Sequence, residues 1–291
     1  MSALRIGWAG VGAMGLPMAR NLLARGFAVT VLRHRGAHGP AALAAAGAAI
    51  ADSLAGLSAA SDVVVLMLPS SREVEEVVLG AGGLESTLRP GRIVVDMGTS
   101  DPGSTRRLAA HLAARGVDLV DAPVTGGTRG AADATLVIMA GGLAPAVERV
   151  RPVLEAMGRV VVHVGGVGAG HTLKLVNNLI ALSGAAIVAE ALRLAQTAGL
   201  SLPVVLDVLQ QGSADSAILR GMAGRLRAGR FEPGFKIELA RKDLVLAGRL
   251  AEALGVPLSL GAAARRVFDR ACEAGRAHLD TAALAEDITR A

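Results

Sequence analysis

Short runs of Val, Ile and Leu alternate with helical stretches along the first half of the chain. The runs cover residues 4–9, 27–32, 61–68, 92–96, 117–120, 134–140 and 160–164, and Gly, Pro or charged residues bound them. Runs this short and this apolar predict strands covered on both faces, as in a parallel sheet flanked by helices. After Gly165 the period changes. Apolar positions recur at helical spacing through 172–198, 203–210, 217–227, 236–254, 259–274 and 281–289. The pattern predicts an α/β domain with a doubly wound, mostly parallel sheet over 1–164, followed by an all-helical domain over 165–291. The first and longest of those helices carries Leu173, Val176, Ile180, Ile187 and Leu194 with little polar relief. It is expected to be buried on several sides, partly against another subunit.

The first strand runs directly into Gly10-Val11-Gly12-Ala13-Met14-Gly15, and a helical stretch follows from Pro17 to Arg25. This is G-x-G-x-x-G in a strand–turn–helix setting. The first glycine allows the tight turn, the second lets a pyrophosphate reach the backbone, and the third lets the helix pack closely. The motif predicts a Rossmann-type dinucleotide-binding domain. At the end of the second strand an acidic residue would hold the ribose 2′-hydroxyl of NAD. Here Leu32-Arg33-His34-Arg35 stands instead. Guanidinium forks match a phosphate, so NADP(H) is expected over NAD(H), with NAD(H) still usable. The loops after the next two strands bring Leu68, Pro69 and Thr99 to the same sheet edge, as candidates for contacts near the nicotinamide.

Thr125-Gly126-Gly127 offers a hydroxyl and adjacent backbone N–H groups in one turn, a geometry suited to a carboxylate. Lys174 and Asn178 are four residues apart and so share one face of the long helix. Spacing alone leaves a solvated lysine beside a helix-start asparagine equally open. Lysine is scarce, however. Of 30 basic residues only Lys174, Lys236 and Lys242 are lysines. A chain that builds its basic surface from arginine and keeps one lysine here points to proton transfer, because lysine's pKa is movable and arginine's is not. Lys242-Asp243 reads, on its own, as a surface ion pair.

Composition narrows the classes. The 291 residues are 52% hydrophobic and 19% charged, which excludes a disordered chain. The net charge is +5, aromatic content is 2% and tyrosine is absent. Stacking platforms for single-stranded nucleic acid are therefore lacking, and a mildly positive field suits a small anion better. The mean hydropathy of +0.48 comes from Ala, Val and Leu. The most apolar run, 179–189, is shorter than a bilayer span and is interrupted by Ser183 and Gly184. No leader pattern precedes the first strand. Cys272 is the only cysteine, so an internal disulfide is excluded. No His/Cys/Asp/Glu cluster has metal-ligand spacing, and no metal is expected. His163 reads as a core or edge histidine. A cytoplasmic protein, with neither nucleic acid nor membrane as partner, is expected.

Four segments together resemble the β-hydroxyacid dehydrogenase family, in its 3-hydroxyisobutyrate dehydrogenase and tartronate semialdehyde reductase branch. They are residues 7–15, 121–127, 168–178 and Lys242-Asp243, and the resemblance spans nearly the whole chain. It implies that Lys174 is the catalytic lysine and that Asn178 helps hold the substrate. It further implies that Thr125, Gly126 and Gly127 bind the substrate carboxylate, that Lys242 lies near the nicotinamide, and that Thr99 touches the cofactor. The implied activity is hydride exchange between the nicotinamide and a small β-hydroxy acid or semialdehyde acid. Members form homodimers or homotetramers through the helical domain. Three positions depart from the family pattern. Thr125 replaces serine, Leu32-Arg-His-Arg35 replaces an Asn-Arg-Thr pattern, and Ala132-Asp-Ala134 replaces a glycine-threonine pair. Asn177 and the chain length speak against phosphogluconate dehydrogenase, and Lys174 speaks against imine reductases. An imine reductase-like activity and a non-catalytic NADP-binding sensor or scaffold remain as alternatives.

Overall fold

Val63 to Leu66 show how the first half is built. In the computed structural model, which describes residues 4–33 and 38–288, Val63 and Val65 enter one buried cluster while Val64 and Leu66 enter another. Successive side chains of a strand point to opposite faces, so an unbroken apolar run must be covered on both. Ile93 and Val95 against Val94 repeat the arrangement one strand away. Fully burying each such side chain contributes roughly 1.5–3 kcal/mol.

The elements of this half are β1 (Arg5–Ala9), α1 (Gly15–Ala24), β2 (Ala28–Leu32), α2 (His38–Ala44), β3 (Ala49–Ala51) and α3 (Leu54–Ala59). Next come β4 (Val63–Leu66), α4 (Ser71–Leu79), β5 (Ile93–Asp96), α5 (Pro102–Ala113), β6 (Asp118–Asp121) and β7 (Val124–Thr125). The last are α6 (Gly127–Ala132), β8 (Leu136–Gly141), α7 (Ala144–Glu155) and β9 (Gly158–Gly165). The sheet order is β3-β2-β1-β4-β5-β6-β8-β7, with β9 on the free side of β8. Only β8 runs against β6 and β7; every other pairing is parallel. The fold class expected from the pattern is the one observed. Two strands escape the pattern. β3 is three residues long and largely alanine, a residue depleted in strands, and β7 is a two-residue piece. His163 lies exposed on edge strand β9, with Nε2 3.0 and 2.9 Å from the carbonyl oxygens of Gly142 and Gly165.

The helices that follow are α8 (Ala169–Thr197), α9 (Leu202–Leu209), α10 (Ala217–Ala228), α11 (Ile237–Ala253) and α12 (Ser259–Glu273), then a 3-10 segment at Thr281–Ile288. Residues 1–174 and 175–291 form two compact units, so α8 begins in the first and continues in the second. The core of the second unit gathers Leu182, Ala185, Ala189 and Leu192 of α8 with Leu219, Met222, Ile237, Leu244 and Phe268. Within the single chain the apolar stripe of α8 is not covered: Val176, Ile180, Ile187 and Leu194 are 46%, 71%, 60% and 73% accessible, so the expected burial on several sides would have to be completed by another subunit. The opposite face, rich in alanine, does the packing, because small side chains let neighbouring helices approach. By length and composition alone α8, with a mean hydropathy of 1.7, is long and apolar enough to cross a membrane, and 39% of its most apolar stretch is buried.

Candidate active site

β1 ends at Ala9, and Gly10 turns the chain with φ +101°. A Cβ on Gly10 would lie 2.2 Å from the Met67 carbonyl oxygen, and one on Gly15 would lie 1.9 Å from that of Gly10. Both positions therefore need glycine for space. Gly12 is different: nothing lies within 4 Å of where its Cβ would be. That opening sits before α1, which has no side-chain cap and no acid in its first turn. Leu16 N donates to the Gly12 carbonyl at 3.0 Å and Pro17 has no N–H, so the seat for a pyrophosphate is the open glycine turn itself, at the N-terminal end of α1. Val11 and Met14 pack down onto the core and leave the backbone uppermost; Ala13 lies between the two glycines. The wholly buried Trp8 fastens the turn from below, its indole N–H donating to the Gly10 carbonyl at 2.8 Å. The residues present fit a dinucleotide.

Arg33 follows β2 and is exposed. Its Nε donates to Asp52 Oδ1 at 2.5 Å. His34 and Arg35 lie outside the described residues. Leu68 lies between two glycine turns: its Cδ2 would be 3.3 Å from a Cβ on Gly10, and its carbonyl oxygen 2.7 Å from one on Gly98. Pro69 beside it is exposed. The loop that carries Thr99 is held by the buried Asp96 at the end of β5. Its Oδ1 accepts from Gly98 N at 2.9 Å and its Oδ2 from Ser100 Oγ at 2.7 Å.

Thr125 closes β7 and is half-buried. Gly126 (φ +129°) and Gly127 (φ +65°) then turn through backbone regions that favour glycine, and Gly127 faces open space. Three residues, Asp133 to Thr135, link α6 to β8, and Ala134 among them has a positive φ of +54° although it is not a glycine.

The start of α8 is docked to the sheet edge by a buried polar cluster in the first unit. Asp121, fully buried at the end of β6, accepts from Gly168 N at 2.7 Å and His171 N at 2.8 Å. A Cβ on Gly170 would come within 2.3 Å of the Met139 carbonyl oxygen, so glycine permits the close approach. Burial pushes the Asp121 carboxyl above its usual range, while the His171 ring and the two N–H donors pull it back. His171 is also fully buried. Its Nδ1 lies 2.8 Å from Thr105 Oγ1, and its Nε2 lies 3.6 Å from Asp96 Oδ2 without a hydrogen bond. Lys174, half-buried, stands one turn further along this clamped helix.

In the second unit Asn178, 4% exposed, donates from Nδ2 to Asp243 Oδ2 at 2.6 Å and accepts at Oδ1 from Asn177 Nδ2 at 2.9 Å. Lys242 Nζ stands 3.2 Å from Asp243 Oδ1. The surface reading of the Lys242-Asp243 pair is thereby corrected, since Asp243 is 2% exposed and faces the core side of α11. Asp52, Asp121 and His171 received no role from the sequence, and Asp243 only that of a surface ion-pair partner. A readable signal did exist for Asp121: an acid that directly ends an apolar buried strand is delivered to the sheet edge.

Comparison with known proteins agrees with this geometry. Residues 5–165 match the NAD binding domain of 6-phosphogluconate dehydrogenase, and residues 168–288 match the NAD-binding region of NADP-dependent 3-hydroxyisobutyrate dehydrogenase. The chain is 39% identical to 2-(hydroxymethyl)glutarate dehydrogenase of Eubacterium barkeri, over 94% of this chain and 90% of that one. It is 37% identical to 2-hydroxy-3-oxopropionate reductase of Escherichia coli, over 98% and 97%. The crystal structure of 3-hydroxyisobutyrate dehydrogenase from Salmonella typhimurium superposes with a TM-score of 0.90 at 30% identity, covering 98% of this chain and 99% of that chain. Fold and glycine turn, with these likenesses, define an NAD(P)-dependent oxidoreductase acting on hydroxy acids. The chain belongs to the β-hydroxyacid dehydrogenase family.

Proposed function

We propose that the protein is an NADP(H)-preferring dehydrogenase or reductase that interconverts a small β-hydroxy acid and its semialdehyde acid, with Lys174 as general acid and base. One observation carries the reading. The Asp121 clamp docks the first turn of α8, the turn before Lys174, at the ends of β5 and β6, on the sheet edge that also presents the glycine turn. The residues suited to hold the cofactor are Gly10 to Gly15, Leu68, Pro69 and Thr99, with Arg33, His34 and Arg35 toward the 2′-phosphate. When bound, the nicotinamide supplies or takes up the hydride. In reduction the Lys174 ammonium gives a proton to the developing alkoxide; in oxidation its amine takes the hydroxyl proton. Asn178 orients that oxygen, its amide held by Asp243 and Asn177. Thr125 Oγ1 and the N–H groups of Gly126 and Gly127 receive the substrate carboxylate, and Lys242 adds positive charge for the anionic substrate and cofactor.

Further parts of the reading are a functional division at Gly165, a homodimer or homotetramer joined through the helical part, and a cytoplasmic location. The exposed stripe of α8 supports the oligomer. The decisive test is NADPH oxidation with a panel of semialdehyde acids, run in parallel with NADH and with one cyclic imine added. Turnover of a semialdehyde acid supports the reading. Binding of cofactor with no turnover makes the protein a sensor, and turnover of the imine alone moves it to an imine reductase-like activity on the same fold.

A further inference from the structure

The end of β2 carries no acid in the sequence, yet the fold supplies one from the neighbouring strand. β2 and β3 are parallel and in register, Leu32 against Ala51, and Arg33 N donates to the Ala51 carbonyl at 2.8 Å. Arg33 and Asp52 are therefore the next residues beyond the last paired positions, side by side where the two strands leave the sheet. Their side chains meet, Nε to Oδ1 at 2.5 Å, while 64% and 78% exposed. Ser53, directly after Asp52, caps α3 through Gly56 N, so the backbone behind the carboxylate is anchored.

We propose that Asp52 sets the cofactor preference by competing with the 2′-phosphate of NADPH for the Arg33 guanidinium. This rests on the reading above that Arg33 takes that phosphate. An arginine fork engaged with a carboxylate must exchange it for the phosphate, and the released carboxylate then stands beside a dianion. NADH carries no such phosphate and meets neither cost. Because the pair is exposed and weakly coupled, the exchange is readily made. The arrangement lowers NADPH preference below what Arg33 alone would set.

The test is isothermal titration of NADPH and NADH, without substrate, into the full-length wild type and the Asp52→Asn, Arg33→Ala and doubly substituted proteins. Asp52→Asn should tighten NADPH by about 3- to 10-fold, the scale of a single exposed charge, and leave NADH within about twofold. Arg33→Ala should weaken NADPH by about tenfold or more. In the Arg33→Ala background, Asp52→Asn should recover less than it gains in the wild type, since only the direct repulsion remains. An unchanged NADPH affinity in Asp52→Asn overturns the proposal, and so does a raised ratio that comes from weaker NADH. An unchanged NADPH-to-NADH ratio in Arg33→Ala instead removes the underlying assignment of the 2′-phosphate, so the two failures are told apart.

Discussion

Ala134 joins the end of α6 to β8 in the left-handed backbone region, where a Cβ costs about 1–2 kcal/mol. Glycine there relieves the strain, at some expense in unfolded-chain entropy. Ala134→Gly should therefore raise stability by about 0.5–1 kcal/mol, read from the urea midpoint at unchanged slope. This is the position at which the sequence departs from the family's glycine-threonine pair, and the departure was visible from the residues; its backbone consequence was not, because φ belongs to the folded turn. For Lys174 the expectation concerns rate. Lys174→Ala should lower kcat by about 10²–10⁴-fold while leaving the NADPH dissociation constant within twofold, measured by steady-state kinetics and cofactor titration. Near-normal turnover removes Lys174 from the mechanism. Scarcity of lysine was the signal that marked it. The partners of Asn178 and Arg33 gave no comparable signal, since Asp243 and Asp52 reach them from 65 and 19 residues away.

Among the elements, α8 is where the sequence pattern was most and least informative. Its extent was legible to within one turn, and every strand of four residues or more to within about two residues at either end, because period and length together distinguish helix from buried strand. Which face it buries was not legible, because alanines packed in a helical core and branched side chains left outside both read as apolar. Its start depends on Asp121. Removing both acceptors in Asp121→Ala leaves two buried N–H groups unpaired and should cost about 2–4 kcal/mol. Asp121→Asn gives a pH test. The folded-state carboxyl is raised above its ordinary value of 3.8. Folded Asp121 thus holds its proton where the unfolded chain has lost it, so its contribution to stability is fully present below about pH 3.8 and is lost as pH rises through the folded value. The deficit of Asp121→Asn relative to wild type should therefore narrow between pH 4 and pH 7 in urea titrations. A deficit that widens over that range reverses the sign and refutes the burial-dominated account.

For the molecule as a whole, composition alone argued for a folded chain with an anionic small ligand, and the family membership agrees. Composition did not forecast how much apolar surface one chain leaves in water. Val176, Ile180, Ile187 and Leu194 lie along one side of α8, and a contiguous apolar stripe of this kind marks an association surface. If the proposed homo-oligomer forms through this stripe, Ile180→Glu together with Ile187→Glu should convert it to monomers in light-scattering chromatography, with the glycine turn unaltered. An assembly that persists places the contact elsewhere.

The indole beneath the glycine turn has a practical consequence. Trp8 is the sole tryptophan of a chain without tyrosine, so its ultraviolet emission has one source. That source is held by a hydrogen bond to the first glycine of the cofactor turn and is sealed from water. The protein therefore carries its own optical gauge: arrival of a reduced dinucleotide, whose ring absorbs where indole emits, will dim a single unambiguous signal with no label attached.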